Sequence, residues 1–480
     1  MGAPTRIAVV GGGVAGLAAA HRIVELAHGI GRRLDLTLLE AAPRLGGSIA
    51  TERTDGFVIE TGPDSFISEK PAALRLAERL DLRSRLIGTR DADRRTFVVH
   101  AGRLHPLPEG FLLLAPTRLA PLAASGLFSW PGKLRMALDL VLPRGPERAD
   151  ESLGSFVTRR LGREALERVA QPLLGGIYTA DPDDLSLAAT MPRFLEMERR
   201  ERSVIRAMWR QQRQAATAHT GSGARWSLFV SFDDGMQTLV DRLAQSLPEG
   251  VVRLRSAVKT LVRADDVWRL DLDGSTLEAD GLILATPAHA SSALLASTDA
   301  KLAGELAEIR YASSATVTLA FRQSSLPRPL EGFGFVVPLV EARGIIASTY
   351  SSLKYAGRAP AGYVLLRAFV GGALQADRFA DDDTAMIANV RRELSALLGI
   401  NDEPVLTRLH RHPHAMPQYR VGHLERIARI RARVQTVNRL ALCGNAYSGV
   451  GIPDCIRSGE EAAEALCSAG GELSVLSSQF

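Results

Sequence analysis

A glycine-rich turn near the N-terminus constrains the fold most, because it lies between a predicted buried strand at residues 6–10 and a predicted helix at residues 14–28. Gly11, Gly13 and Gly16 follow the GxGxxG spacing. In such a turn the first glycine permits the tight bend, the second lets backbone approach a pyrophosphate, and the third lets the helix pack on the strand. The pattern predicts a parallel α/β unit that binds a dinucleotide at the helix N-terminus.

An acidic residue and a second loop follow at the end of the next predicted strand, Leu34 to Glu40. The Glu40 carboxylate can accept hydrogen bonds from both ribose hydroxyls, which argues against a ligand with a 2′-phosphate. In the loop that follows, Arg44 can contact a phosphate, and Gly46 and Gly47 can bring the backbone beneath the cofactor. This continuation favours FAD over NAD.

The last predicted helix begins with another glycine-rich segment, far from the first along the chain. Gly444 and Asn445 follow a predicted strand, and residues 449–452 open the helix. The N–H groups at its N-terminus can lie near the pyrimidine edge of a flavin and stabilise negative charge there. This two-ended arrangement resembles the superfamily of FAD-containing amine oxidases and protoporphyrinogen oxidases, whose FAD domain is assembled from the first, middle and last parts of the chain.

More specific segments occur between and at these two ends. They are ETGPDSF at 60–66, GIYTAD at 176–181, EGFGFVVP at 331–338, PQYRVGH at 417–423 and GNAYSGVGIPDCIR at 444–457. Each is similar to a motif of the oxygen-dependent (HemY-type) protoporphyrinogen oxidase family. The resemblance runs in order from residue 7 to residue 457, so it covers almost the whole chain.

The resemblance implies an enzyme of haem synthesis that oxidises protoporphyrinogen IX to protoporphyrin IX by removing six electrons. FAD would be the cofactor, molecular oxygen the final acceptor, and hydrogen peroxide a product. A hydride leaves a carbon bridge of the macrocycle for flavin N5, so we expect no catalytic residue beyond the flavin and no metal. The pocket should be aliphatic and aromatic, with cationic anchors for propionates at its mouth.

For the substrate site, the resemblance places Gly176 against the macrocycle near flavin N5, and Phe333 in stacking contact with a pyrrole ring. Where the family usually has an arginine that pairs with a propionate, this chain has Thr96, preceded by Arg94 and Arg95. Arg95 is the candidate replacement. Neighbouring strand residues face opposite sides, so the replacement needs a bulge or a register shift. Otherwise the propionate is held elsewhere, or the substrate differs.

Three other functions stay open at this point. Some family members prefer coproporphyrinogen III, which carries two further propionates. Because Thr96 replaces the usual arginine of the family, that substrate stays an alternative. Flavin amine oxidases usually present a lysine near N5, but we expect Lys301 in an exposed helix and Lys354 in a polar turn. A haem carrier or scaffold without catalysis is disfavoured by the intact glycine motifs at both ends.

The resemblance and the alternation of predicted elements imply a combined α/β and α+β fold. We expect a Rossmann-like FAD-binding domain from residues 1–93, 233–300 and 436–480, a mixed-sheet substrate-binding domain from residues 94–103 and 301–435, and a helical domain from residues 104–232. The expected cofactor contacts are Gly11, Gly13, Val14, Ala15, Gly16, Glu40, Arg44, Gly46, Gly47, Ser48, Gly62, Pro63, Val258, Ala285, Thr286, Gly444, Asn445, Gly449, Val450, Gly451 and Ile452.

Composition argues against several other classes. The net charge is +5 and the basic residues are scattered, so no nucleic-acid partner is expected. Cys443, Cys455 and Cys467 form no CxxC pair, which fits a reducing cytoplasmic setting better than a zinc or disulfide site. No apolar run is long enough for a spanning helix, and the first strand begins too early to leave room for a signal peptide.

Two weaker patterns complete the sequence analysis. Residues 104–144 mix apolar and basic side chains, so this stretch could form a peripheral membrane contact, the roof of a substrate pocket or a homodimer surface. His410, His412 and His414 alternate along a predicted strand. No nearby carboxylate or cysteine completes a metal site with them, so we expect an ordinary, partly exposed strand face.

Overall fold

A computed structural model describes residues 5–29, 34–90, 94–112, 115–146, 148–217 and 227–468. In chain order its strands are β1 Thr5–Val10, β2 Leu34–Leu39, β3 Thr51–Thr54, β4 Phe57–Glu60, β5 Phe66–Ile67, β6 Leu86–Gly88, β7 Phe97–His100, β8 Arg103–Pro106, β9 Phe111–Leu112, β10 Ala115–Pro116, β11 Phe229–Phe232, β12 Val252–Arg253, β13 Thr260–Ala264, β14 Val267–Leu272, β15 Ser275–Ala279, β16 Gly281–Leu284, β17 Tyr311–Arg322, β18 Gly334–Val336, β19 Ala347–Tyr350, β20 Tyr363–Gly371, β21 Leu406–Pro417 and β22 Leu440–Leu442.

The helices are α1 Val14–Gly29, α2 Ala72–Arg79, α3 Leu119–Ala124, α4 Trp130–Ala137, α5 Leu153–Leu161, α6 Arg163–Ala165, α7 Gln171–Tyr178, α8 Leu187–Thr190, α9 Pro192–Glu201, α10 Val204–Thr217, α11 Gln237–Gln245, α12 Ala288–Leu295, α13 Ala300–Ala307, α14 Ser351–Lys354, α15 Ala376–Ala380, α16 Asp383–Leu398, α17 His423–Thr436 and α18 Ile452–Ser468. In the described ranges, no helix combines the length and the apolarity needed to cross a membrane.

The first large sheet is parallel and has the strand order β12-β2-β1-β16-β22. Its strands come from three distant parts of the chain, and β1 pairs with β2 on one side and with β16 on the other. β1 and β16 are rich in buried apolar residues because both faces of the sheet are covered. α1 packs against α18, where a Cβ on Gly459 would lie 2.1 Å from the carbonyl oxygen of Ala15. This close helix contact therefore requires glycine.

The second large sheet is mixed and has the strand order β21-β17-β20-β19-β18-β7-β8. Because side chains alternate along a strand, β7 contributes to two separate cores. Phe97 and Val99 pack with apolar residues of α16 such as Val390. Val98 faces the other way and packs with Phe156 and the rest of the helical layer. The sheet thus separates α16 from the helices of the middle of the chain.

A buried ion pair stabilises the helical layer. The Arg160 guanidinium lies 2.5 Å from the Asp139 carboxylate, and both side chains are almost fully buried. The Ser203 hydroxyl donates to the second carboxylate oxygen at 2.6 Å, and the N–H of Ile205 donates to it at 3.0 Å. These hydrogen bonds matter because a buried charge without partners would be strongly destabilising.

Two local predictions need correction. The sequence pattern of residues 72–87 predicts a single helix, but α2 ends at Arg79 and Leu86–Gly88 is a strand that pairs with β11. Asp81 stops the helix because it adopts a left-handed conformation with φ +57°. β11 lies in the stretch expected to be helical, and β8 continues the mixed sheet to Pro106, beyond residue 103. The three-domain division itself stays a prediction.

Candidate active site

The carboxyl ends of four neighbouring parallel strands meet at one edge of the first sheet. These strands, β2, β1, β16 and β22, end at Leu39, Val10, Leu284 and Leu442. The expected cofactor contacts Glu40, Gly11 and Ala285 directly follow the first three strands, and Gly444 lies two residues after the end of β22. Open parallel sheets bind ligands in the crevice at this edge, so the structure brings these four contacts to one place.

The three glycines of the first turn have different surroundings. A Cβ on Gly11, which has φ +110°, would lie 2.7 Å from the carbonyl oxygen of Ala285. A Cβ on Gly16 would lie 1.9 Å from the carbonyl oxygen of Gly11. A Cβ on Gly13 would meet nothing within 4 Å. Two glycines therefore permit close packing, whereas Gly13 borders open space beside Val14 and Ala15 at the start of α1.

Backbone N–H groups hold the Glu40 carboxylate in place at the end of β2. Gly12 donates to one of its oxygens at 2.6 Å, and Ala42 donates to the other at 2.7 Å. An ionised carboxylate has about four acceptor positions, so two remain for hydroxyl donors. The orientation therefore fits the predicted contact with ribose.

The loop after Glu40 crosses the glycine turn. Gly46 donates its N–H to the carbonyl of Gly12 at 2.8 Å, and Gly47 and Ser48 are exposed beside it. The Arg44 guanidinium donates to carbonyls of its own loop, including that of Ile49 at 3.0 Å. Arg44 therefore rigidifies the loop, and its exposed position still permits the predicted phosphate contact.

Gly62 and Pro63 lie where the first sheet meets the second. A Cβ on Gly62 would lie 1.8 Å from the carbonyl oxygen of Ser48, so this approach requires glycine. The neighbouring Thr61 carbonyl accepts from Thr316 at 3.1 Å and is hydrogen-bonded to His412 Nε2 at 2.8 Å. The mixed sheet thus holds this expected cofactor segment through its backbone.

The distal glycine segment also leaves space on one side. Gly444 has φ +126°, and a Cβ there would meet nothing within 4 Å. Gly449 has φ +131° and is packed against the carboxylate of Asp454, which occupies the first turn of α18. The segment continues through Val450 and Gly451 into Ile452. The open sides of Gly13 and Gly444 are cradles that a side chain would fill, as a bound dinucleotide requires.

The middle part of the chain supplies the last expected cofactor contacts. Ala285 donates its N–H to the carbonyl of Val10 at 2.8 Å, which places it beside the glycine turn. The Thr286 hydroxyl lies 2.7 Å from that of Ser291 in α12. Val258 precedes β13 and packs at the margin of the core beneath the first sheet. Their contact with the cofactor stays a prediction.

The expected substrate contacts come from two layers. Gly176, in α7, is exposed, and a Cβ there would meet nothing within 4 Å. Its neighbour Ile177 is also exposed, with 42% of its surface accessible. Phe333 is half-buried directly before β18, and its N–H donates to the carbonyl of Arg95 at 2.9 Å. Exposed apolar surface is thus available near Gly176, as a macrocycle pocket requires.

Arg95 and Thr96 differ in their surroundings. The Arg95 guanidinium lies 3.1 Å from the Glu331 carboxylate and 5.8 Å from the ring centre of Phe97. Arg95 and Thr96 directly precede β7; the Arg95 side chain lies beside Phe97, whereas Val98 faces the helical layer. Geometry alone does not make Arg95 equivalent to position 96.

A buried charged cluster at the junction of the two sheets was not predicted. Lys354 is largely buried and lies 2.9 Å from the Asp64 carboxylate, so its expected position in a polar turn is wrong. Burial alone would raise the pKa of Asp64, but Lys354 and Arg367 hold that pKa well below its usual range. Arg367 also donates to the Gly62 carbonyl. Because Asp64 binds the Lys354 ammonium, this lysine is poorly suited to amine oxidase chemistry.

Burial raises the pKa of the neighbouring Glu60 to about 7. Its carboxylate accepts from the N–H of Met236 at 2.9 Å and from the Thr51 hydroxyl at 2.8 Å, and Arg358 lies 3.8 Å away. These partners lower the pKa without offsetting burial. Glu60 is therefore a titratable group between the cofactor crevice and the second sheet.

The three alternating histidines do not share one environment. His410 lies 4.0 Å from the Glu52 carboxylate, and His412 contacts the Thr61 carbonyl. His414 has φ +46°, and its ring neighbours that of His289 at 6.1 Å. Among the residues that the structure describes, no group of three or more His, Cys, Asp and Glu side chains could hold a metal ion.

Comparison with known proteins defines the class to which this crevice belongs. The family model described as flavin containing amine oxidoreductase matches residues 14–467. The chain belongs to this family, and FAD is its cofactor.

Individual relatives within this family are named as porphyrinogen oxidases. Coproporphyrinogen III oxidase of Bacillus subtilis (strain 168) is 37% identical over 458 residues, which cover 95% of this chain and 96% of that protein. Protoporphyrinogen oxidase of Homo sapiens is 30% identical over 483 residues, covering 95% and 97%. A crystal structure from Exiguobacterium sp. 255-15, provisionally named a protoporphyrinogen oxidase, matches this chain with a TM-score of 0.86 at 33% identity. The match covers 97% of this chain and 99% of that one. The family resemblance found in the sequence is confirmed.

Proposed function

We propose that this chain oxidises coproporphyrinogen III to coproporphyrin III in haem synthesis. The observation that carries the proposal is the 37% identity to the Bacillus subtilis coproporphyrinogen III oxidase along nearly the full length of both chains. The human protoporphyrinogen oxidase is less similar, at 30%. Protoporphyrinogen IX, the first substrate that the sequence suggests, becomes the second candidate.

The proposed reaction balances without a further cofactor. The macrocycle loses six electrons and six protons in three two-electron steps, and three dioxygen molecules become three molecules of hydrogen peroxide. FAD, when bound, would supply the two-electron oxidising chemistry that each step needs. The chain itself has to position the cofactor, through Glu40 and the open side of Gly13, and to offer an apolar surface to the macrocycle near Gly176 and Phe333.

We propose that Arg95 binds a propionate at the outer edge of this cleft. Its partner Glu331 is exposed, so the ion pair is weak and can be exchanged for a substrate carboxylate. A guanidinium suits a carboxylate because it can donate two parallel hydrogen bonds. Coproporphyrinogen III carries four propionates, so an edge cation would serve it better than a substrate with two.

The proposed function is tested with the purified FAD-loaded protein, given each porphyrinogen under air. Porphyrin fluorescence should rise faster than in protein-free buffer, and faster with coproporphyrinogen III than with protoporphyrinogen IX. The reverse order would move the assignment to protoporphyrinogen IX. No gain over the spontaneous rate with either compound would contradict porphyrinogen oxidation altogether.

We also propose that the helical layer contacts an anionic membrane surface. Trp130 and Leu134 lie one turn apart in α4 and are both 67% exposed, and Leu138 and Val141, in and just after the turn that follows α4, are 47% and 72% exposed. Lys133 lies 4.6 Å from the Trp130 ring centre, which places a cation beside the apolar stripe. Aromatic and aliphatic side chains flanked by cations are typical of interfacial helices.

Vesicles that contain one-quarter phosphatidylglycerol in phosphatidylcholine test this contact. The protein should sediment with them, and the Trp130→Ser/Leu134→Ser variant should not. Val262→Ser, which changes an exposed apolar residue in β13, is the control. A dimer that the double variant dissociates, without vesicle binding by the parent, would show that the stripe joins two copies instead.

A further inference from the structure

Two stacked rings lie beneath the turn that leads into α18. The ring centres of Tyr419 and His423 are 4.0 Å apart, and their planes differ by 13°. Both side chains are buried, with 2% and 4% of their surface exposed. They belong to the PQYRVGH segment, for which the sequence suggested no role.

The Tyr419 hydroxyl joins the two ends of this turn. It donates to the carbonyl of Asn445 at 2.5 Å and accepts from the N–H of Gly449 at 2.8 Å. His423 Nε2 lies 3.3 Å from the carbonyl of Tyr447, in the middle of the same turn. Burial lowers the pKa of His423 to about 4, so its ring is neutral and can donate from Nε2 at neutral pH.

The opposite side of the stack is attached to the helical layer. The Tyr419 carbonyl accepts from the N–H of Ser186 at 2.7 Å. Gly422 donates its N–H to the Asp150 carboxylate at 3.2 Å, and Ser186 donates to the same oxygen at 2.7 Å. Tyr419 also packs within the apolar core of that layer. The rings therefore have fixed supports on both sides.

We propose that Tyr419 and His423 are positioning residues for the cofactor, holding the Asn445–Gly449 turn so that the N–H groups at the start of α18 face FAD. The inference rests on the proposed cofactor contacts at Gly444 and beyond. N–H groups at a helix N-terminus stabilise negative charge, and the effect falls off within the first turn. A displaced turn should therefore weaken FAD binding and make the bound flavin harder to reduce.

Tyr419→Phe tests this role because it removes the hydroxyl and keeps the ring stack. We expect its Kd for FAD to rise about tenfold, since a buried N–H and a buried carbonyl lose their partner. The midpoint potential of the bound FAD should become more negative. Tyr350→Phe, which removes the hydroxyl of another buried tyrosine in the second sheet, is the control and should match the parent in both measurements.

His423→Phe provides a second route if Tyr419→Phe fails to fold. It keeps an aromatic ring in the stack and removes the longer hydrogen bond, so its effects should be smaller and in the same direction. Unchanged FAD affinity and potential in either folded variant would overturn the positioning role. A parent protein that binds FAD but oxidises neither porphyrinogen would instead contradict the proposed function and leave this inference standing.

Discussion

The two large sheets contribute to the candidate active site in different ways. At the parallel sheet, the expected contacts follow strand ends directly, as Gly11 follows β1 and Glu40 follows β2. At the mixed sheet, the contributing groups lie within long strands, as Thr316 and Arg367 do where they reach Thr61 and Gly62. At the parallel sheet, the candidate site is therefore formed largely by backbone turns, and a short sequence pattern predicts each of them. At the mixed sheet, the site depends on strand register between distant segments.

The largest predicted effect separates packing from cofactor contact in the glycine turn. Gly16→Ala would place a Cβ 1.9 Å from the Gly11 carbonyl oxygen, so we expect it to lose about 3 kcal/mol of unfolding free energy even without FAD. Urea denaturation of the apoprotein measures this loss. Gly304→Ala in α13, where a Cβ meets nothing within 4 Å, is the control and should be stabilised or unchanged. Equal stability of the two variants would contradict the packing role.

Gly13→Ala should weaken FAD binding and leave the stability of the apoprotein unchanged. A Cβ at Gly13 meets no protein atom within 4 Å, so the apoprotein should unfold at the same urea concentration as the parent. The methyl group would occupy space that the pyrophosphate needs, so FAD affinity should fall at least about tenfold. Fluorescence titration with FAD measures this fall. Unchanged affinity would show that the cofactor does not approach this turn.

Glu60→Gln should change how stability depends on pH at the junction of the two sheets. The folded pKa of Glu60 is about 7, against 4.5 for an ordinary glutamate, so the folded protein holds its proton more tightly. Stability from this group is present below the unfolded pKa and is lost as pH rises through 7. The shift corresponds to at most about 3 kcal/mol.

Urea denaturation at pH 5 and pH 8 compares the parent with Glu60→Gln. The variant lacks the titrating group, so its stability relative to the parent should increase between the two pH values. An identical pH dependence in both proteins would mean that Glu60 is ionised throughout this range, which would contradict its raised pKa.

The smallest predicted effect concerns the substrate edge of the mixed sheet. Arg95→Ala should raise KM for coproporphyrinogen III about threefold, because an exposed cation contributes less than about 1 kcal/mol. The change for protoporphyrinogen IX should be smaller. Arg94→Ala, one position away, is the control. An unchanged KM in Arg95→Ala would remove this residue as the propionate anchor.

Local patterns in the sequence were sufficient to predict the family and the elements around the first glycine turn. The strand, glycine turn and helix around Gly11 to Gly16 were predicted, and the assignment to an FAD family is confirmed. The buried position of Lys354 was not predictable, because its partner Asp64 is 290 residues away along the chain. The stack of Tyr419 on His423 was not predicted. The spacing of the two residues in their motif does not indicate that the rings contact a turn near residue 445.

Flavin absorbance in an anaerobic mixture tests the central claim most directly. FAD-loaded protein mixed with coproporphyrinogen III without oxygen should lose the absorbance of oxidised flavin, and admission of air should restore that absorbance as porphyrin appears. The Gly13→Ala variant, matched for total protein, should show little of this signal. If dithionite reduces the bound flavin but neither porphyrinogen does, porphyrinogen oxidation by this protein is contradicted.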